Sequence, residues 1–334
     1  MSVFAREFLR ENVEAPALPR GFLALFGKHP GWDDHVEDLP LATTSLILAK
    51  QNLYVQGIGG QVSSGGWARL EEGQSLPGFD HVLLWRRGSQ FIAGRLWSST
   101  DGKRRAHFPM IAMVHCLNVP VGPSLASILS WLESVESACK STRSADRIRS
   151  MFEQCQSDFQ GWIERSDHTD AEEADPLGWG MPAEMLVPAI TEIQSRGADL
   201  TLGRFKERSE LPSVHCRVPT TGRDRAHDLR LWNRLLGHTL HESVPQLFLA
   251  PRDKAWLDVI AGEPTVPDLF ALRAGESAIP MIADLSQVRD GASHHAAADS
   301  VVRRFLDPAS AASELAPESR GWFSRLFSGK EPAH

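Results

Sequence analysis

Between Ser98 and Met110 the chain places Asp101, Lys103, Arg104 and Arg105 in one loop and closes it with Phe108-Pro109. The flanking runs, Phe91 to Trp97 and Ile111 to Cys116, alternate as strands do. A hairpin needs only about two to five turn residues, so this loop exceeds its connecting role. An aspartate beside three cations can hold a loop closed by accepting hydrogen bonds, or it can meet a partner. A second polar stretch runs from Phe26 to Val36. There Gly27, Pro30 and Gly31 fix an unusual backbone path, and Lys28, Trp32, Asp33, Asp34 and His35 decorate it. If the two loops are neighbours, Asp34, His35, Ser99 and Asp101 converge, and either acid–base chemistry or partner contact becomes available.

Other chemistries fit the residues poorly. Gly102-Lys103 has Trp97 where a P-loop needs glycine and Arg104 where it needs Ser or Thr. Gly57 and Gly59 lack the third glycine of a dinucleotide fingerprint. The start of a zinc helix at His241-Glu242 fails at Pro245. His115-Cys116 and His215-Cys216 are strand neighbours whose side chains point to opposite faces, so neither pair holds one metal. No serine sits in a Gly-x-Ser-x-Gly elbow. No catalytic residue, metal or cofactor is expected, and the two loops read as a binding surface or as fold-holding elements.

The elements that must position these loops are legible as periodicities. Gly21 to Phe26, Asp80 to Trp85, Gln90 to Trp97 and Pro109 to Asn118 are expected strands of one antiparallel sheet, the last three forming a meander. Ala42 to Leu53 has helical texture, followed by a glycine-rich connection from Gly57 to Gly66. After Pro120 come helical faces: Leu125, Ile128, Leu129, Leu132 and Val135, then Ile148, Phe152, Cys155, Phe159 and Trp162. An acidic loop follows from Ser166 to Pro176. Met185 to Ile193 and Leu229 to Leu240 suggest two more helices, with strands at Val214 to Val218, Gln246 to Leu249 and Trp256 to Ile260. This order predicts an α+β fold, an antiparallel sheet flanked by helices. The expected organisation is a lead-in at 1–20, a sheet-bearing half at 21–120, a helical half at 121–285, and a partly disordered tail at 286–334.

Together the two loops resemble the TagF (ImpM) family of type VI secretion-associated proteins. Gly27, Lys28, Pro30, Asp34 and Val36, with Leu39-Pro40 following, match at the first loop; Ser99, Asp101, the basic residues and Phe108-Pro109 match at the second. Trp32-Asp33 stands where the family has Arg-Gly, and the second loop is slightly longer, which marks a divergent branch. The resemblance implies a TagF-like fold and a cytoplasmic, non-enzymatic accessory protein. Such a protein restrains assembly or firing of the secretion machine, in connection with a forkhead-associated scaffold protein.

Composition is compatible with that reading. The chain has 334 residues, 42% hydrophobic and 23% charged, and a net charge of −7, which disfavours a dedicated nucleic-acid binder. The cysteines Cys116, Cys139, Cys155 and Cys216 are widely spaced and read as buried thiols in a reducing compartment. The N-terminus carries charge where a signal peptide needs an apolar core, and no run is long enough to span a membrane, so a cytoplasmic protein is expected. Trp322, Phe323, Leu326 and Phe327, beyond a linker rich in Ala, Ser, Pro and Glu, read as an amphipathic docking segment. Two other classes fit the same residues: an enzyme using the Asp34 and Asp101 loops, and a membrane-proximal adaptor using the aromatic-basic tail.

Overall fold

Continuous apolar strands demand cover on both faces, and the chain supplies it. A computed structural model describes residues 18–36, 39–166, 180–197, 213–282, 288 and 291–306. Most of the expected lead-in, nearly all of the acidic loop and the tail segment from Trp322 to Phe327 lie outside the described residues. The strands are β1 (Arg20–Lys28), β2 (His35–Val36), β3 (Asp80–Arg87), β4 (Gln90–Trp97), β5 (Met110–Leu117), β6 (Val214–Pro219), β7 (Gln246–Pro251) and β8 (Trp256–Ala261). They form one eight-stranded sheet in the order β2-β1-β5-β4-β3-β7-β8-β6, with every pairing antiparallel. The fold is α+β. The segments before and after residue 120 share this sheet, because Leu83 of β3 pairs with Leu249 of β7.

Alternation along the strands sends side chains to two cores. Leu23, Leu25, Val82, Leu84, Phe91, Ala112 and Val114 face one helical layer. That layer contains α3 (Val121–Lys140), α4 (Ala145–Arg165), α5 (Ala183–Arg196), α6 (Arg225–Gly237) and α7 (Gly291–Leu306), with α1 (Thr44–Ala49) and α2 (Gly59–Ser64) lying on the other side. Ala24, Phe26, Leu83, Trp85, Ile92, Ile111 and Met113 face the second core, closed by Leu46, Leu53, Tyr54, Ile58, Leu269 and Leu272. Among the described residues no helix is long and apolar enough to cross a membrane.

Two elements depart from the sequence expectation. The stretch from Gly57 to Gly66 is not a loose connection. After α1 (Thr44–Ala49) a wide π-type helix runs over Lys50–Ile58 and continues into α2 (Gly59–Ser64). Gly57 serves packing rather than turning: a Cβ there would lie 2.0 Å from Leu269 Cδ1. Helix formation stops at Gly65, whose φ of +64° suits glycine. The second departure is α7, which falls in the stretch assigned to the tail. It spans Gly291–Leu306, and Ala298, Val302 and Phe305 are buried in the first core.

Candidate functional site

The two motif loops meet at the β1–β5 end of the sheet. Gly27 has φ of +113°, and a Cβ on it would stand 2.2 Å from the Pro109 carbonyl oxygen. Only glycine lets β1 and the end of the second loop approach this closely. Lys28 N–H donates to that same carbonyl at 3.0 Å. The Lys28 side chain is buried, and its Nζ donates to Asp34 Oδ1 and, at 2.9 Å, to Asp101 Oδ2. Asp101 is the hub. Its Oδ1 accepts the Lys103 and Arg105 backbone N–H groups, each at 2.9 Å, and its Oδ2 also accepts Arg105 Nε at 2.7 Å. This closure carries Arg104 into the left-handed region, at φ of 64°. Arg105 then crosses to the first loop, donating to the Asp33 carbonyl at 2.9 Å and lying 3.2 Å from Asp34 Oδ1. Gly102 N–H donates to Trp32 O at 2.7 Å and completes the bridge.

These contacts set the ionisation of both acids. Burial opposes charge on Asp101, but hydrogen bonds from the Arg105 backbone, the Lys28 ammonium and the Arg105 side chain outweigh it and hold the carboxyl well below the usual range. Asp34 is lowered chiefly by its hydrogen bond from Lys28, with Coulombic help from Lys28, His35 and Arg105. Both are carboxylates, and Asp101 has its lone pairs committed, an arrangement that fixes loops more readily than it moves protons.

Around this lattice the remaining motif residues divide. Phe108 packs with His35 and Tyr54, ring centroids 5.2 and 5.4 Å away, and Pro109 is buried beneath. Pro30 lies in the turn beside Gly102. Asp33 and Lys103 are 84% and 61% exposed and only 4.0 Å apart, and Arg104 is exposed. Ser99 is half-buried and stands outside the ion lattice.

A third segment, unmarked in the sequence, joins the two loops. The corner between α3 and α4 receives His29, whose Nε2–H donates to Cys139 O at 3.0 Å while Nδ1 accepts Gly31 N–H at 3.0 Å. Burial lowers the His29 pKa, in keeping with this neutral tautomer. A Cβ on Gly31 would sit 2.8 Å from Ala145 N, so the first loop rests on the start of α4. The Arg149 guanidinium lies over the Trp32 ring, 5.5 Å from its centroid. Tyr54 was also unmarked. Its hydroxyl is buried without a hydrogen-bond partner among the described residues, and its pKa is pushed up by burial and by Asp34.

Two clefts lie elsewhere. One runs between α1 and the β3–β4 hairpin, over Ser45, Asn52, Trp85, Gln90 and His115; the other is bordered by Phe79, His81, Pro251 and Asp253. Neither includes a motif-loop residue. Among the described residues no three His, Cys, Asp or Glu side chains gather as metal ligands. Compared with known proteins, the chain matches no family model and no curated protein.

Proposed function

We propose that this chain is a non-enzymatic accessory protein of a type VI secretion system, acting as TagF-like regulators do. It would bind protein partners in the cytoplasm, among them a forkhead-associated scaffold protein, and restrain assembly or firing. The observation that carries this reading is the Lys28–Asp34–Asp101–Arg105 lattice. It is built from the residues on which the family resemblance rests, and it locks two loops into one rigid surface while leaving Asp33, Lys103 and Arg104 facing outward. Rigid loops with exposed charge favour recognition, because little conformational entropy is lost on binding.

Two measurements test the reading. Deleting the gene in its native bacterium is expected to raise the amount of type VI substrate in the culture supernatant, and unchanged export sinks the regulatory role. Purified forkhead-associated scaffold protein from the same cell is expected to bind the wild type and to bind the Lys28→Met variant at least about tenfold more weakly.

A further inference from the structure

Much of the charge at the motif corner is consumed internally, and what remains is predominantly one sign. Asp34, Asp101 and Arg105 are spent on the lattice. Arg104, Arg143 and Arg147 are exposed and make no ion pair among the described residues, and Lys103 reaches only Asp33, at 4.0 Å. The segments that carry these cations adjoin one another. Gly102, two residues from Arg104, is bonded to Trp32 O; Trp32 lies under Arg149; and Gly31 abuts Ala145, which Arg143 and Arg147 flank in sequence. A basic corner on a chain of net charge −7 creates a local field that steers an acidic group toward it.

We propose that Trp32, Lys103, Arg104, Arg143 and Arg147 form the docking surface for an acidic segment of a protein partner, an assignment that rests on the motif corner being a protein-binding surface. Trp32, half-buried beneath the Arg149 guanidinium, adds an aromatic to these arginine-bearing segments, a pairing that protein interfaces favour. A nucleic acid or an anionic membrane fits less well. Asp33 and Asp146, 84% and 91% exposed, interrupt the positive field that a continuous phosphate array requires. Discrete carboxylates on a peptide can step around them.

The test uses the full chain and a fluorescein-labelled decaglutamate peptide, followed by anisotropy. Binding is expected at low ionic strength and is expected to weaken steeply as salt shortens the screening length. The triple variant Arg104→Gly, Arg143→Ser, Arg147→Ser is expected to lose at least about tenfold in affinity, with an unchanged circular dichroism spectrum and a melting temperature no lower than that of the wild type. Absence of wild-type binding, or equal binding by the triple variant, overturns the assignment. So does tighter binding of oligo-dT or of phosphatidylserine vesicles than of the peptide. The two levels separate cleanly. If Lys28→Met loses the scaffold protein while decaglutamate is never bound, only the acidic-segment assignment fails. If scaffold binding is indifferent to Lys28→Met, the underlying reading of the corner fails.

Discussion

The sheet carries one ion cluster near each end of its strand order, and the two are finished differently. Near the β6–β8 end, Arg217 and Asp258 are 0% and 1% exposed. Arg217 Nε and Nη2 donate to Asp258, each at 3.0 Å, and the remaining hydrogens reach the carbonyls of Ala274, Gly275 and Ile279. All the donors of the guanidinium fork are therefore used inside the protein. His215 adds Nε2 to the same aspartate at 2.9 Å, and Arg217 stacks over Trp256. At the β1–β5 end the buried pair is Lys28–Asp101, but its satellites Asp34 and Arg105 are 58% and 47% exposed. Saturation marks the first cluster as a strut between β6, β8 and the 274–279 segment. The second is a strut whose outer members face solvent, which is what a recognition surface needs.

The sharpest way to break this comparison is Arg217→Met. Asp258 would be left buried without its counter-ion, and a loss of about 3–5 kcal/mol is expected in urea unfolding. A loss comparable to that of a surface substitution would mean that Asp258 is not sealed. Lys28→Met should cost less, because Asp101 keeps its Lys103 and Arg105 donors.

Acid separates the regions next. His81 and His115 are both buried, and burial lowers each pKa from 6.5 to about 4. The folded state therefore prefers them neutral. Their contribution is complete above pH 6.5 and falls as pH drops toward 4, while the unfolded chain takes up the protons. Between pH 7 and pH 5 each should remove about 2 kcal/mol of stability. Asp101 works in a lower window: its pKa lies below the ordinary 3.8, so its contribution is held above that value and lost only beneath it. Denaturant unfolding across pH should thus weaken well before the motif corner opens. A flat stability profile from pH 7 to 5 would contradict the burial of these histidines.

Asp101→Asn is a smaller perturbation. It should lower the melting temperature by roughly 5 °C and speed amide exchange at Lys103 and Arg105, whose N–H groups it holds. Unchanged exchange at these amides would show that the loop closes without its hub. The smallest effect is expected for Arg104→Gly. Glycine accepts the φ of 64° without steric cost, so stability should stay within about 1 kcal/mol of wild type, on the stabilising side. A clear destabilisation would mean that the Arg104 side chain has a structural partner.

Much of the sheet was legible because strand alternation is a local signal. Phe22 to Phe26, Val82 to Trp85, Phe91 to Trp97 and Ile111 to Val114 all fall within paired strands. The helix through Gly57 was hidden because glycine there answers a tertiary demand, the closeness of Leu269. The packing of α7 was hidden because its buried positions, Ala298 and Val302, are small or widely spaced. In the site, clustered charge betrayed both loops. The α3–α4 corner offered only an ordinary helix start at Ser144, whose hydroxyl caps Arg147 N–H. Tyr54, the single tyrosine of the chain, directly follows the helical run from Ala42 to Leu53 and carries no charged neighbour to mark it.

The place of β3 has a consequence for synthesis. Its two neighbours are unequally distant in the chain: β4 follows at once, while β7 begins at Gln246. A ribosome that has released only the first half of the protein therefore presents Val82 to Trp85 as an uncovered hydrogen-bonding edge. Such edges recruit other chains. The growing polypeptide depends on β7 arriving, or on a chaperone shielding that edge, before a stranger does.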